Sequence, residues 1–145
     1  MHAEGLDLIG RLGLAGIRAR GWGADVVGGL TLGADPVAYA VARASWGSPP
    51  PVHAFTVRKA AKTHGAGRRI EGCFEAGAAV VVAEDVITTG GSALEAARVV
   101  REEGGTVLGV LAVVDREEGG RAALEAAGLA VHILVSVREL VEGSL

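Results

Sequence analysis

Apolar and polar residues alternate in blocks along this chain, and the clearest block lies near its centre. Residues 78–87 are apolar except for two adjacent carboxylates, Glu84 and Asp85. The β-branched residues fall on both faces, which is typical of a strand buried on both sides in a parallel sheet. A break rich in threonine and glycine follows over 88–92, and apolar residues then recur at helical spacing over 93–100. The pattern predicts a strand, a loop and a helix.

Apolar segments separated by glycine, proline and charged residues continue through the rest of the chain. The glycines of 10–16 are spaced vaguely like those of a nucleotide-binding loop, but because no strand precedes them they predict a glycine-interrupted helix. Asp35 and Pro36 suit the N-cap and the first turn of a helix. The other predicted elements are helices over 6–20, 35–45 and 122–127, strands over 24–27, 53–57, 107–114 and 129–135, and a terminal helix capped by Ser136.

Strands therefore alternate with helices along the chain. This order predicts an α/β fold, with a single domain over 1–145 and a doubly wound, mostly parallel sheet flanked by helices. In such sheets, ligands bind at the carboxyl ends of the strands. The segments 28–35, 58–69, 84–92 and 115–120 each follow a predicted strand, so we expect them to share one pocket.

Composition limits the class of protein. Of the 145 residues, 50% are apolar and only 3% are aromatic, so we expect a core of Val, Leu, Ile and Ala. The formal net charge of −3 argues against a general nucleic-acid binder. One cysteine, Cys73, fits a reducing compartment, and the sequence has neither a signal peptide nor an apolar run of membrane-spanning length. We expect a soluble, cytoplasmic protein with no nucleic-acid or membrane partner.

The central break carries groups that suit a ribose 5-phosphate. Backbone N–H groups at two glycines, three hydroxyls and a helix N-terminus can together bind a phosphate monoester. Glu84 and Asp85 accept hydrogen bonds when ionised, so they suit the hydroxyls of the sugar. The alternative is an ordinary strand-to-helix turn in which Ser92 is the N-cap. The predicted phosphate-binding residues are Thr88, Thr89, Gly90, Gly91 and Ser92.

A basic segment over 58–69 contains five Lys or Arg residues and one His. Its flanking glycines suggest a mobile lid over a polyanionic substrate. A charge run of this kind is also typical of a solvated loop. Composition leaves both interpretations open.

Four blocks of the sequence resemble one family of enzymes. Residues 80–92, VVVAEDVITTGGS, are similar to the phosphoribosyl-pyrophosphate motif of the type I phosphoribosyltransferases. Residues 55–72, FTVRKAAKTHGAGRRIEG, resemble the catalytic loop of the orotate phosphoribosyltransferases. Residues 28–38 resemble the pyrophosphate loop of the bacterial enzymes, and 114–119 resemble the segment whose arginine contacts the orotate carboxylate. The match covers nearly the whole chain from about Leu6 onward.

The resemblance implies an activity and a set of residue roles. The activity is Mg²⁺-dependent transfer of the phosphoribosyl group from phosphoribosyl pyrophosphate to orotate, giving orotidine 5′-monophosphate and pyrophosphate. The Mg²⁺ would be carried mainly by substrate and water, and the protein would be a homodimer whose basic loops complete the partners' sites. The implied catalytic residues are Lys62, His64 and Asp85. The implied substrate-binding residues, besides those of the phosphate loop, are Arg58, Lys59, Glu84, Asp85 and Arg116.

Two features leave alternatives open. In the family, a further segment of several dozen residues forms a hood over the base, and nothing in 1–20 matches it. We therefore keep two other functions in view, a phosphoribosyltransferase for another base and a non-catalytic module that senses phosphoribosyl pyrophosphate. Arg116 can also form a surface salt bridge with Glu117 or Glu118 instead of binding a substrate.

Overall fold

A six-stranded sheet forms the centre of the protein, in a computed structural model that describes residues 2–60 and 67–143. The strands lie in the order β3-β2-β1-β4-β5-β6, and all neighbouring pairs are parallel except β2 and β3. The predicted doubly wound, mostly parallel α/β fold is therefore confirmed. The strands are β1 (Val26–Leu30), β2 (His53–Val57), β3 (Ile70–Gly72), β4 (Ala79–Ile87), β5 (Thr106–Asp115) and β6 (Val131–Ser136).

Helices cover both faces of the sheet, and alternate residues of β4 pack against each side. Val81 and Ala83 join the apolar cluster formed with the first two helices, whereas Val80 and Val82 join the cluster formed with the third and fourth. All four side chains are fully buried. The apolar run in the sequence is thus a strand buried on both faces, as predicted. The helices are α1 (Ala3–Ala19), α2 (Ala34–Trp46), α3 (Gly91–Glu102), α4 (Gly120–Ala126) and α5 (Val137–Glu142).

The first strand is longer than the sequence pattern predicts, because two glycines continue it. Gly28 and Gly29 belong to β1, although we had expected them in the following loop. A Cβ atom at Gly28 would lie 2.2 Å from the Phe55 carbonyl oxygen, and one at Gly29 would lie 2.1 Å from that of Ala83. These glycines therefore allow β1 to pack closely between its two neighbours.

Glycines also explain how α1 packs against the rest of the protein. The segment 10–16 is helical, as predicted, and its three glycines lie on the buried side. A Cβ atom at Gly10 would lie 2.4 Å from the Ala40 carbonyl oxygen, and one at Gly16 would lie 2.0 Å from Nε2 of His132. The missing side chains therefore let α1 approach both α2 and β6.

Several predicted boundaries differ from the structure by one or two residues. Helix α4 begins at Gly120 and β6 begins at Val131, each two residues from its predicted start. Ser136 caps α5 as predicted, since its hydroxyl accepts from the Glu139 amide while the Glu139 carboxylate accepts from the Ser136 amide. Across the described helices, none is long and apolar enough to cross a membrane.

Candidate active site

The four loops that the sequence singles out leave the same edge of the sheet. They follow β1, β2, β4 and β5, which are adjacent parallel strands in the order β2-β1-β4-β5. Because parallel strands end at the same edge, their carboxyl ends bring these loops together. The expected convergence is present, and contacts between the loops fix its geometry.

The acidic pair lies at the centre of this edge, near the end of β4. Glu84 is buried, with 7% of its surface exposed, and Asp85 is half-buried beside it. A Cβ atom at Gly33, in the loop after β1, would lie 2.7 Å from both carboxylate oxygens of Asp85. The loop backbone can therefore approach this carboxylate only because residue 33 is glycine. Sequence analysis missed this role of Gly33.

Burial changes the acidity of Glu84. Loss of hydration, reinforced by the neighbouring Asp85, raises the pKa of Glu84 to about 8. Below that pH the carboxyl group is protonated, so it can donate a hydrogen bond as well as accept one. A proton held on one of two adjacent carboxyl groups suits a site that binds the hydroxyls of a sugar.

The phosphate loop, residues 88–92, ends at the N-terminus of α3. Gly90 has a φ of +84° and is the N-cap of α3, so the alternative in which Ser92 caps the helix is wrong. Within 2–60 and 67–143, the hydroxyls of Thr88, Thr89 and Ser92 make no hydrogen bond to the protein. The loop therefore offers hydroxyl donors and helix N-terminal amides, which is the chemistry of a phosphate site.

A glycine from the next loop supports this phosphate loop. The Gly120 amide donates to the Thr88 carbonyl at 2.9 Å. A Cβ atom at residue 120 would lie 2.5 Å from that carbonyl oxygen and 2.8 Å from the Gly90 nitrogen. The start of α4 is thus packed directly on the phosphate loop. The two glycines at 119–120 could have indicated a close contact in this loop. That the contact is with the phosphate loop is visible only in the fold.

Asp35 has a different role from the one predicted. The N-cap of α2 is Gly33, and Asp35 lies in the first turn. Its carboxylate accepts hydrogen bonds from the hydroxyls of Thr31, at 2.7 Å, and Thr56, at 2.9 Å. The Thr56 hydroxyl also lies 3.2 Å from that of Tyr39. Asp35 therefore connects the loop after β1 to the end of β2, instead of capping its own helix.

The basic segment begins and ends on a β-hairpin at the edge of the sheet. It joins β2 to the antiparallel β3, which places its first residues beside the other loops. Arg58 forms an exposed ion pair with Glu71 at 2.9 Å, and Lys59 is exposed. Lys62 and His64, the two predicted leaving-group residues, lie outside the described residues.

Arg116 follows β5 and lies in the loop beside the phosphate loop. Its amide donates to the Ile87 carbonyl at 3.0 Å, which ties the two loops together. Its guanidinium is 2.8 Å from the Glu118 carboxylate, and both side chains are about half exposed. The surface pair that the sequence left open is therefore formed in the structure. Arg116 lies at the same edge of the sheet as the acidic pair and the phosphate loop.

One cavity in the described residues lies away from this edge. A space of about 570 Å³ lies at the opposite edge, beside Asp25, His53 and residues 72–78. It contains none of the predicted site residues, and the side chains with matching chemistry lie at the carboxyl ends of the strands. The candidate site is therefore formed by the loops at the carboxyl ends of the strands, and this cavity is not part of it.

Several curated proteins with similar sequences are named orotate phosphoribosyltransferase. The orotate phosphoribosyltransferase of Aquifex aeolicus is 53% identical over 116 residues, which are 80% of this chain and 63% of that protein. The Mycobacterium avium enzyme of the same name is 49% identical over 142 residues, which are 97% of this chain and 75% of that protein.

A solved structure extends this similarity to the fold. It is the crystal structure of the Mycobacterium tuberculosis orotate phosphoribosyltransferase in complex with phosphoribosyl pyrophosphate. That structure has a TM-score of 0.83 and 45% identity over 96% of this chain and 77% of the other. No protein-family model matches the chain. The identity, the coverage and the shared fold agree with the motifs at the edge of the sheet, and the chain belongs to the orotate phosphoribosyltransferase family.

Proposed function

We propose that this chain transfers the phosphoribosyl group of phosphoribosyl pyrophosphate to orotate, giving orotidine 5′-monophosphate and pyrophosphate in pyrimidine nucleotide synthesis. One observation carries the proposal. The acidic pair of β4 lies between the Gly33 loop on one side and the phosphate loop on the other. In this order, the Gly33 loop can bind one anion, the acidic pair can bind hydroxyl groups, and the phosphate loop can bind a second anion. The donor has the same order of groups, since its ribose carries pyrophosphate at one end and phosphate at the other.

The phosphate loop binds the 5-phosphate of the donor. No side chain caps the start of α3, and the hydroxyls of Thr88, Thr89 and Ser92 belong to the same five-residue loop as its first amides. A helix N-terminus favours negative charge, and the N–H groups there have no acceptor within the helix. The positive φ of Gly90 turns the chain at this point.

Glu84 and Asp85 bind the hydroxyls of the ribose. The reaction breaks the bond from the anomeric carbon to pyrophosphate while N1 of orotate attacks that carbon. Positive charge grows on the sugar and negative charge on the departing group, so catalysis depends mainly on charges held in place beforehand. Asp85 is held for this by a hydrogen bond of 2.8 Å that it accepts from the Val86 amide.

The residues at the site fit a Mg²⁺ that is shared with the substrate. Mg²⁺ binds one or two carboxylates together with substrate phosphates and keeps several waters. Asp85 is the carboxylate that would contact it, and substrate oxygens and water would supply the other ligands. No group of three His, Cys, Asp or Glu side chains exists in the described ranges to enclose a metal ion. When bound, the ion supplies charge neutralisation on the departing pyrophosphate.

The basic hairpin supplies further positive charge to the leaving group. We assign Lys62 and His64 this role, with Arg58 and Lys59 beside them, because the block 55–72 matches the family pattern. The hairpin extends from an edge of the sheet, so it can reach a second subunit. We propose a two-fold homodimer in which each hairpin completes the partner's site.

Arg116 binds the carboxylate of orotate. A guanidinium can form two parallel hydrogen bonds to a planar carboxylate, and in the structure Nη2 of Arg116 already lies 2.8 Å from one carboxylate oxygen of Glu118. The substrate carboxylate would replace Glu118 as the partner of Arg116. Neutral bases such as adenine lack a carboxylate, so this residue favours orotate over them.

Two measurements test the proposal together. Phosphoribosyl pyrophosphate with Mg²⁺, at about 100 times its dissociation constant, stabilises the folded protein by roughly 2.7 kcal/mol in thermal melts. Pyrophosphate release is then measured with orotate, uracil and adenine, and we expect release with orotate alone. Stabilisation without release for any base indicates a sensing module, and release with adenine or uracil instead indicates another base. Melts that do not change with the donor contradict the proposal altogether.

A further inference from the structure

One side chain closes the neck of the basic hairpin, where β2 and β3 meet the loop between them. Arg58 directly follows β2 and Arg69 directly precedes β3, and the Arg58 amide donates to the Arg69 carbonyl at 2.8 Å. The Arg69 guanidinium then donates from Nε and Nη2 to the Arg58 carbonyl, at 3.0 and 2.8 Å. Nη2 also donates to the Lys59 carbonyl at 3.0 Å. One planar fork therefore holds the first two residues of the basic segment.

The same guanidinium reaches the helix that begins at the phosphate loop. Nη1 of Arg69 lies 2.5 Å from the Glu95 carboxylate, and Glu95 is one turn beyond Gly91, the first residue of α3. The Arg69 amide donates to the Glu103 carboxylate, at the end of the same helix, at 3.1 Å. The hairpin neck is thus attached to α3 by both the backbone and the side chain of residue 69.

This ion pair differs from the exposed pairs elsewhere on the surface. Exposed pairs contribute little, because water screens them and both side chains must be ordered. The Arg69 side chain is only 18% exposed, and its donors are divided between two carbonyls and a carboxylate. Arg98 and Arg69 together lower the pKa of Glu95 to about 2, so the carboxylate is charged at neutral pH. A guanidinium can make these contacts simultaneously, whereas a lysine ammonium cannot.

We propose that Arg69 is a positioning residue that fixes the basic hairpin relative to the phosphate loop. The inference rests on the proposed function, in which the hairpin of one subunit completes the site formed by the phosphate loop of the other. Arg69 acts through the carbonyls of Arg58 and Lys59, and Glu95 connects it to α3. It therefore fixes the base of the hairpin on its own subunit, and with it the direction in which the hairpin extends toward the partner's site.

This role predicts different effects on turnover and on simple phosphate binding. Ribose 5-phosphate lacks the pyrophosphate, so its affinity depends on the phosphate loop and not on the hairpin. Turnover depends on both, and a displacement of about 1 Å can lower a rate on the order of 100-fold. Loss of Arg69 should therefore lower kcat on the order of 10-fold to 100-fold and leave the dissociation constant of ribose 5-phosphate within about twofold.

The test compares the full-length Arg69→Lys variant with an Arg98→Gln control. Arg69→Lys keeps the positive charge but replaces the planar guanidinium, whose several N–H donors hold the neck, with a single ammonium group. Arg98→Gln removes the other cation bound to Glu95, and Arg98 contacts Glu95 and Glu102 without bonding to the hairpin neck. Hydrogen exchange is measured at 55–60 and at 67–72, together with kcat and the dissociation constant of ribose 5-phosphate.

We expect faster exchange at the neck and a lower kcat in Arg69→Lys, with neither change in the control. Wild-type exchange and kcat in Arg69→Lys would overturn the proposal. A lower kcat without faster exchange would also overturn it, since Arg69 would then act directly on the substrate. Faster exchange with wild-type kcat would show that the neck has no influence on the reaction, which is a third contradictory result.

A second variant keeps the proposal testable if Arg69→Lys does not fold. Glu95→Gln weakens the same contact from the surface of α3, and we expect it to change exchange and kcat in the same direction by a smaller factor. Hydrogen exchange does not depend on turnover. A wild-type protein that binds ribose 5-phosphate but forms no orotidine 5′-monophosphate therefore contradicts the proposed function, and the exchange results still decide whether Arg69 fixes the neck.

Discussion

At the scale of single residues, the unusual chemistry lies in the two carboxyl groups near the end of β4. Glu84 is buried next to Asp85, and its pKa is raised to about 8. In the unfolded chain the pKa of this carboxyl group is near 4.5, the ordinary value for a glutamic acid. Between these two values the folded state binds more protons than the unfolded state, so stability falls as the pH rises through this window.

Glu84→Gln tests this assignment. The amide cannot ionise, so the stability of the variant should depend less on pH than that of the wild type between about pH 5 and pH 8. Each unit of pKa difference corresponds to about 1.4 kcal/mol. Thermal or urea unfolding across this range measures the effect, with Glu75→Gln, an exposed carboxylate, as the control. Equal slopes in all three proteins would mean that Glu84 is not buried in its protonated form.

Lys62 is the second residue with a specific expected effect. A cation that stabilises the departing pyrophosphate contributes mainly in the transition state, so Lys62→Ala should lower kcat on the order of 10²–10³-fold. The dissociation constant of phosphoribosyl pyrophosphate should change far less. The exposed Arg121→Ala, on α4, is a control for loss of positive charge. Unchanged turnover in Lys62→Ala would remove this residue from the mechanism.

The sequence predicted residues whose chemistry is local and missed those whose role depends on a distant partner. The acidic pair and the phosphate loop are contiguous, so their spacing was enough to propose them as a site, and the structure places them together at the end of β4. Asp35 was taken for an N-cap because Asp-Pro often begins a helix, but its carboxylate binds Thr31 and Thr56 instead. Arg69 was only one cation in a basic segment until the fold placed it next to α3.

At the scale of elements, glycines decide how closely the loops of the site can pack. The close contacts that a glycine permits depend on which segment packs against it in the fold. The periodic pattern of apolar residues along the chain therefore does not reveal them. This explains why β1 was predicted too short and why the contact between α4 and the phosphate loop was not expected. The buried strands were predicted from their continuous apolar runs, and the amphipathic helices from apolar residues that recur about every 3.6 positions.

Two glycine substitutions distinguish the role of the phosphate loop in packing from its role in binding phosphate. They are Gly120→Ala and Gly91→Ala. A Cβ atom at residue 120 would lie 2.4 Å from Ile87 Cγ2 and 2.5 Å from the Thr88 carbonyl oxygen. Gly120→Ala should therefore lower stability by about 1–3 kcal/mol and displace the loop. The nearest atom at residue 91 is 3.8 Å away, so Gly91→Ala should fold normally.

Both variants should bind ribose 5-phosphate more weakly, but for different reasons. In Gly120→Ala the loop is displaced, whereas in Gly91→Ala the methyl group prevents close approach of the phosphate to the backbone. Calorimetry measures the affinity and denaturant unfolding measures the stability. Wild-type affinity in both proteins would place the 5-phosphate somewhere other than residues 88–92.

At the scale of the whole molecule, shared sites predict recovery of activity when two inactive variants are mixed. Lys62→Ala damages the hairpin and Asp85→Asn damages the pocket, so a heterodimer has one intact site and one with both defects. Random exchange in an equal mixture makes about half of the dimers mixed, which gives about a quarter of the wild-type activity per subunit.

The mixing experiment can also contradict the shared sites. If exchange of labelled subunits is demonstrated and activity stays at the level of the separate variants, each hairpin works only within its own subunit. Light scattering at micromolar concentration provides the companion measurement, and a monomeric protein that is fully active would contradict the shared sites directly.

The central claim is that the loops at one edge of the sheet form an orotate phosphoribosyltransferase site. The most direct measurement is chromatographic detection of orotidine 5′-monophosphate from orotate, phosphoribosyl pyrophosphate and Mg²⁺, with wild type and Asp85→Asn assayed in parallel. We predict one nucleotide formed for each pyrophosphate released by the wild type, and a rate lowered on the order of 100-fold in Asp85→Asn. A wild-type protein that binds the donor and forms no nucleotide, or an Asp85→Asn variant with full activity, would contradict the account.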